Sequence, residues 1–542
     1  MIKKQQYPYW RLINWLLALA LLVPLLFMMW GGITASIDLF AHLWQTVLPT
    51  YVSNTLLLAL LVVVFSIVLG LGSAALVTQT NIKSKSILRW LLMLPLAMPA
   101  YLVAYLYTDL FDYAGPVQRF LREMFDWHSP NDYWFFDVRS LVGAAVILSF
   151  VLFPYVYMLA RTAFETQDPS FQRASRSLGN SAKQTFYKVS LPLARPAIAI
   201  AASLVLMETL ADFATVQYFA VNTLTTAIYD TWLGYGDLAT ANALASVLML
   251  LVLIAVVAEY KARAGQRHQS HSSNSEQPLI SLSPIQQLFA LLFCWSLVTI
   301  GFLLPFGLLI SMAIEYSDSS QLTKLFDIGM NSVEVAVYAA TCATVLALSL
   351  NLYRRLSKHR LKHYPQMITG FGYAIPGTVL AMAMLATLAP ADHIINDIAE
   401  GLSFSPPGLI LSGSIFAVVF AFVVRFSAIA NGTIESGLTR IPDSLDKAPS
   451  SLGVGIMGMI RKIHIPLLKP SILVAWLLVF VEAMKELPAV LLLRPFNFET
   501  LSTYIYQLIT DEQLEQGAIG AILIVLFGLL PIIWLNKGKQ NS

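Results

Sequence analysis

Apolar runs of about 20 residues recur along the chain, separated by polar stretches, and a run of that length crosses a roughly 30 Å hydrocarbon core as helix. The pattern predicts 12 spans, near residues 11–31, 54–78, 88–110, 141–163, 196–220, 238–260, 285–312, 332–353, 366–390, 408–431, 470–494 and 514–536. The predicted fold class is all-α, a polytopic membrane protein. The first run follows Lys3, Lys4 and Arg11 as in a signal peptide, but its length exceeds a signal core and it reads as a retained anchor. The segment 263–284, RAGQRHQSHSSNSEQPLISLSP, is polar and without apolar period, and reads as a linker. It separates residues 1–262 from residues 285–542, with six spans on each side.

Composition agrees with the pattern. The chain is 57% hydrophobic and 12% charged, against roughly 25% charged in soluble domains. Charge distribution supplies an orientation. Of the 34 basic residues, 28 fall on one side: Lys3 to Arg11, Lys83 to Arg89, Arg161 to Arg195, Lys261 to Arg267, Arg354 to Lys362, Arg425 to Lys469, and Lys537 with Lys539. Five lie opposite, and Lys485 sits inside a span. By the positive-inside rule both termini are expected in the cytoplasm. The tract RRLSKHRLKH (354–363) is explained by attraction to anionic lipid. Cys294 and Cys342 lie in apolar runs, offer no metal spacing and read as ordinary buried residues. Nothing in the charge pattern calls for a nucleic-acid partner.

The two halves repeat each other. SLGNSAKQTFYKVSLPLARPAI (177–198) matches SLGVGIMGMIRKIHIPLLKPSI (451–472) at an offset of 274, pairing Gly179 with Gly453, Pro192 with Pro466 and Pro196 with Pro470. Asn54 and Asn331, Pro99 and Pro376, and TLTTAIY (223–229) and TLSTYIY (500–506) match at 277. The shared residues are Gly, Pro, Asn and Thr, which apolar composition does not supply. An even number of spans per half makes this a parallel repeat, expected to enclose a central pathway. Each long loop before the fifth span is expected to form a short surface helix. It would be clamped between a glycine turn and a break at Pro192 or Pro466.

These loops resemble the EAA loop of permease subunits in binding-protein-dependent ABC importers. The first copy is Arg173-Ala174-Ser175, Gly179, Leu191, Pro192; the second is Lys447-Ala448-Pro449, Gly453, Ile465, Pro466. The motif's leading Glu is replaced by Arg173 and Lys447. METLADFATVQYF (207–219) and the stretch 482–506 are similar to fused ferric-iron permeases. The resemblance implies a transport subunit of the inner membrane, working with a periplasmic binding protein and two copies of a cytoplasmic ATPase. ATP and Mg would be bound by that partner, with no cofactor in this chain. The chain has no G-x-x-x-x-G-K-[ST] phosphate loop and no H-E-x-x-H. Thiamine permeases share the fused form and keep a second substrate open. An ion-coupled secondary transporter would share the repeats without needing the two loops.

The fifth span of each half carries the costliest side chains: Glu208 and Asp212 in the first, Glu482, Lys485 and Glu486 in the second. Glu208 and Glu482 each lie twelve residues beyond a proline, about 18 Å along a helix. An i,i+4 spacing places Asp212 and Glu486 on the same helix faces one turn further out. Carboxylates lining a pathway suit a hard cation held transiently, which makes Glu208 and Glu482 the metal candidates. The structural alternative pairs Lys485 with Glu482 and leaves the remainder to helix contacts.

Overall fold

The computed structural model describes residues 8–34, 37–264, 279–316, 319–357, 359–442, 444–446 and 455–540. Most of the predicted linker, residues 265–278, lies outside them. The described regular structure is helical, with one parallel bridge between Thr80 and Ile280. Among the described residues, eleven helices are long and apolar enough to cross a membrane. The number is twelve if the bent pair Lys85–Ala97 and Ala100–Phe125 is one span.

In the first repeat the helices are α1 (Pro8–Thr34), α2 (Leu48–Gln79), α3 (Lys85–Leu91), α4 (Ala100–Phe111), α5 (Pro116–Phe125), α6 (Leu141–Glu165), α7 (Pro169–Ser177), α8 (Leu191–Ala211), α9 (Ala214–Tyr218), α10 (Leu224–Tyr229) and α11 (Leu238–Ala264). The second repeat follows with α12 (Pro284–Val298), α13 (Leu304–Glu315), α14 (Ser319–Leu356), α15 (Tyr364–Gly370), α16 (Gly377–Gly401), α17 (Ile415–Thr439), α18 (Ile465–Lys485), α19 (Pro488–Leu493), α20 (Leu501–Thr510) and α21 (Ala518–Gln540).

The third predicted span of each repeat is not one helix. A short helix, α3 or α15, is followed by a break at Pro99 or Pro376, and the crossing helix starts immediately after. Proline disfavours helical backbone at the residue before it. Met98 and Ile375 are accordingly extended, with ψ of 122° and 123°. In the first repeat the break turns the chain by 91°.

The compact units do not follow sequence order. One holds residues up to 42, 227–249 and 318–505; the other holds 43–226, 250–317 and 506–542. The first span of each repeat thus packs with helices of the other repeat. In one unit α1 lies against α14, α15 and α16. There Trp10 donates to the Ser349 hydroxyl, which itself donates to Asn14 Oδ1 at 3.0 Å. Its ring meets Tyr353 edge to face. In the other unit α12 contacts α2 and α3, and α13 contacts α21. Cys294 is buried there, whereas Cys342 is exposed, against the expectation that both are buried.

Candidate functional site: two loops and two broken helices

The first repeated loop is a helical hairpin. Asp168 caps α7 by accepting from Ser170 N at 2.8 Å. Arg173 and Ala174 face outward on α7, while Ser175 is buried and shares a 3.0 Å hydrogen bond with the Thr185 hydroxyl. The chain reverses at Gly179, whose φ of +86° is left-handed, a conformation that penalises a Cβ. Ser181 then opens a new helical turn in a reciprocal cap with Gln184.

Pro192 does not break the chain as expected. A single rod runs from Ala182 to Ala211. Residues Phe186–Ser190 widen into a π-turn, in which Leu191 N donates to Phe186 O. The wider turn accommodates the proline ring and its missing N–H. The same solution precedes Pro466, where Ile460–His464 form a π-turn, and precedes Pro305 at Thr299–Leu303. Leu191 and Ile465 therefore sit at helix openings inside continuous rods. Lys447, Ala448 and Gly453 lie outside the described residues.

The bases of the two loops are tied at matching positions by different chemistry. In the first, Gln172 donates to Ser190 Oγ at 3.2 Å and to Gln79 Oε1 at 3.3 Å. In the second, 274 residues on, the equivalents are Asp446 and His464, 3.2 Å apart, with His464 fully buried. Arg355 donates to Asp446 Oδ2 at 2.7 Å and to the carbonyls of Leu438 and Ile441. Arg354 in turn is paired with Glu435. Two arginines assigned to lipid attraction are thus engaged within the protein. Spacing alone does not single out Gln172 or Asp446, although each directly precedes a copy of the aligned motif.

The fifth spans are broken at the depth of their carboxylates. Helix α8 ends at Ala211 and α18 at Lys485; Asp212 and Glu486 follow with extended ψ of 131° and 127°. The expected shared helix face does not exist, because the helix stops before the second carboxylate. Each acid instead caps the short helix beyond it. Asp212 accepts from the Thr215 hydroxyl at 2.9 Å and from Val216 N at 3.2 Å. Glu486 accepts from Ala489 N at 3.2 Å.

The matched Asn and hydroxyl residues hold both breaks in the same way. Thr225 donates to Asp212 O at 2.8 Å, and Ser502 to Glu486 O at 2.7 Å. Asn54 donates to Asn222 O, and Asn331 to Glu499 O. Thr55 accepts from Leu224 N, and Ser332 from Leu501 N. Backbone groups freed at the break thus receive side-chain or hydroxyl partners, as a span interior requires.

The remaining charges differ between repeats. Glu482 is 3.2 Å from Lys485. Glu486 is 3.3 Å from Arg425, and both side chains are nearly inaccessible. Arg425, grouped in the sequence with the basic loops, is well inside α17. In the first repeat Glu208 is half-buried on α8, where no Lys or Arg occurs between Arg195 and Asp212. Toward the opposite loops, Arg494 pairs with Glu499, and Arg139 with Glu512 at 2.9 Å. His128 is exposed beside Asp126. Among the described residues, no three of His, Cys, Asp and Glu are grouped so as to hold a metal ion.

Two matched six-span repeats, each with a broken fifth helix and the first with a hairpin loop leading into it, define a transport subunit. The chain matches the family described as the binding-protein-dependent transport system inner membrane component twice, over residues 66–260 and 352–537, and belongs to it. It is therefore a multi-pass inner-membrane component of such a transport system. It is 25% identical to the Fe(3+)-transport system permease protein FbpB 2 of Haemophilus influenzae, over 98% of each chain. It is 26% identical to the ferric transport system permease protein FbpB of Actinobacillus pleuropneumoniae, over 89% of this chain and 70% of that one. The sulfate transport system permease protein CysT of Salmonella typhimurium is 27% identical over 40% of this chain and 78% of its own.

Proposed function

We propose that the chain is the permease of an ATP-driven importer that moves ferric iron into the cytoplasm. The observation that carries the reading is near full-length similarity, through both repeats, to permeases whose names specify ferric transport. The two repeated loops are the docking sites of a cytoplasmic ATPase present in two copies. ATP and Mg belong to that partner, and a periplasmic binding protein delivers the ion. Both termini are cytoplasmic. Arg173, Ala174 and Gly179, with Lys447, Ala448 and Gly453, face the ATPase. Glu208, Asp212, Glu482, Lys485 and Glu486 mark the depth at which the pathway carries charge. Glu208 and Glu482 offer the cation single, transient carboxylate contacts, as release demands.

The test is uptake of radioactive ferric iron by cells expressing the chain with its binding protein and ATPase. Uptake that stops when the ATPase is inactivated, and that excess thiamine leaves unchanged, is the expected result. Assembly of all components without iron uptake would refute the substrate. Uptake independent of the ATPase would refute the class.

A further inference from the structure

The Arg425–Glu486 pair occurs in only one repeat, and its position suggests a task. Arg425 lies on α17, which runs directly into the second repeated loop; Glu486 ends α18, which leaves that loop. Arg425 is fourteen residues before the end of α17, about 21 Å of helix from the loop. The pair therefore joins the two arms of the loop at the depth of the break. Its exposure is 9% and 6%, so solvent barely screens it.

Local sequence has made room for it. A Cβ on Gly377 would lie 2.5 Å from Glu486 Oε1 and 2.9 Å from Arg425 Nη1. The pair occupies the space a side chain would take. At the matching positions of the first repeat stand Ala100, Val151 and Asp212. The acid is shorter, the base is absent and the methyl has returned. There the carboxylate of Asp212 accepts from Thr215 and Val216 of the next short helix.

We infer that Arg425 is a positioning residue that transmits movement of the second docking loop to the break in α18, making the second repeat the driven side of transport. This rests on the reading of the loops as ATPase docking sites. Displacing α17 or α18 drags the other at the pair, so the Glu486 turn follows the loop as a unit. The break in α8 lacks that tie and follows its own hydroxyl contacts.

The test reconstitutes the permease with its ATPase and binding protein in liposomes and counts ferric ions imported per ATP hydrolysed. Arg425→Met is expected to assemble and hydrolyse ATP within about twofold of wild type while uptake falls about tenfold or more, since a buried acid loses its base. Arg425→Lys should recover part of the ratio. Gly377→Ala keeps both charges and wedges them apart, and should lower the ratio as well; it carries the test if Arg425→Met does not assemble. An unchanged ratio in Gly377→Ala, or in an assembled Arg425→Met, overturns the inference, as does proportional loss of hydrolysis and uptake. Failure of wild type to import iron with ATP would instead refute the proposed function.

Discussion

The hydroxyl of Ser502 donates to the main-chain carbonyl of Glu486 at 2.7 Å, supplying a partner where α18 stops. Thr225 does the same for Asp212. Both hydroxyls are buried, and a carbonyl without a donor in hydrocarbon has no water to turn to. The matched hydroxyl residues thus serve the break itself.

Removing these donors should therefore weaken the protein. Ser502→Ala and Thr225→Ala are each expected to cost about 1–3 kcal/mol, the penalty of an unsatisfied buried acceptor. Ser502→Thr should retain most of the stability. Thermal unfolding in detergent measures this, and midpoints equal to wild type in both alanine variants would show that another group satisfies the carbonyls.

Gly179 carries a second prediction. Its φ of +86° and its open surroundings separate backbone strain from steric contact. Gly179→Ala is expected to distort the turn at a cost of about 1–2 kcal/mol, and Gly179→Asn at less. Co-purification of the ATPase with the permease should fall in that order. Gly179→Pro combined with Gly453→Pro should abolish uptake while membrane insertion, read by fractionation, is retained. Normal uptake by the inserted double variant would rule out docking through these loops.

The spans were legible because hydrophobic length is a one-dimensional signal, and the doubled loop because Gly179 and Pro192 recur at a fixed offset. The breaks were not. Asp212 looks like a fourth-residue neighbour of Glu208 in sequence; only the Thr225 and Asn54 contacts, from distant segments, reveal that the helix ends first. Pro192 reads as a breaker by propensity, yet a π-turn absorbs it. Arg425 was hidden because a charge near a basic loop resembles a loop charge until its partner Glu486 is found. Tertiary partners decide such cases, and spacing does not contain them.

The two loop bases should differ in strength. Arg355 and Asp446 are 13% and 20% exposed, and the guanidinium also donates to the carbonyls of Leu438, Ile441 and Pro442. Arg355→Ala leaves a largely buried acid and should destabilise the second loop by about 3–5 kcal/mol. Gln172→Ala removes neutral hydrogen bonds and should cost about 1 kcal/mol. Limited proteolysis, followed separately for each loop, is expected to show much faster cleavage in the Arg355 variant. Equal rates would mean that the ionic base adds nothing.

Charge balance gives the last prediction, and it separates the two repeats. In the second, Glu482 faces Lys485 and Glu486 faces Arg425. In the first, Glu208 and Asp212 share a span segment with no base between Arg195 and the break. A cation passing at that depth is stabilised by the carboxylates it meets. Glu208→Gln should therefore reduce iron uptake about tenfold with assembly intact, since each 1.4 kcal/mol of lost stabilisation is a factor of ten. Glu482→Gln should reduce uptake as well and also lower stability, because it strands Lys485 in the span. Uptake assays paired with thermal unfolding distinguish these outcomes. If Glu208→Gln transports as wild type, the first-repeat carboxylate has no role in moving the ion. If Glu482→Gln loses only stability, the second-repeat carboxylate has no such role either.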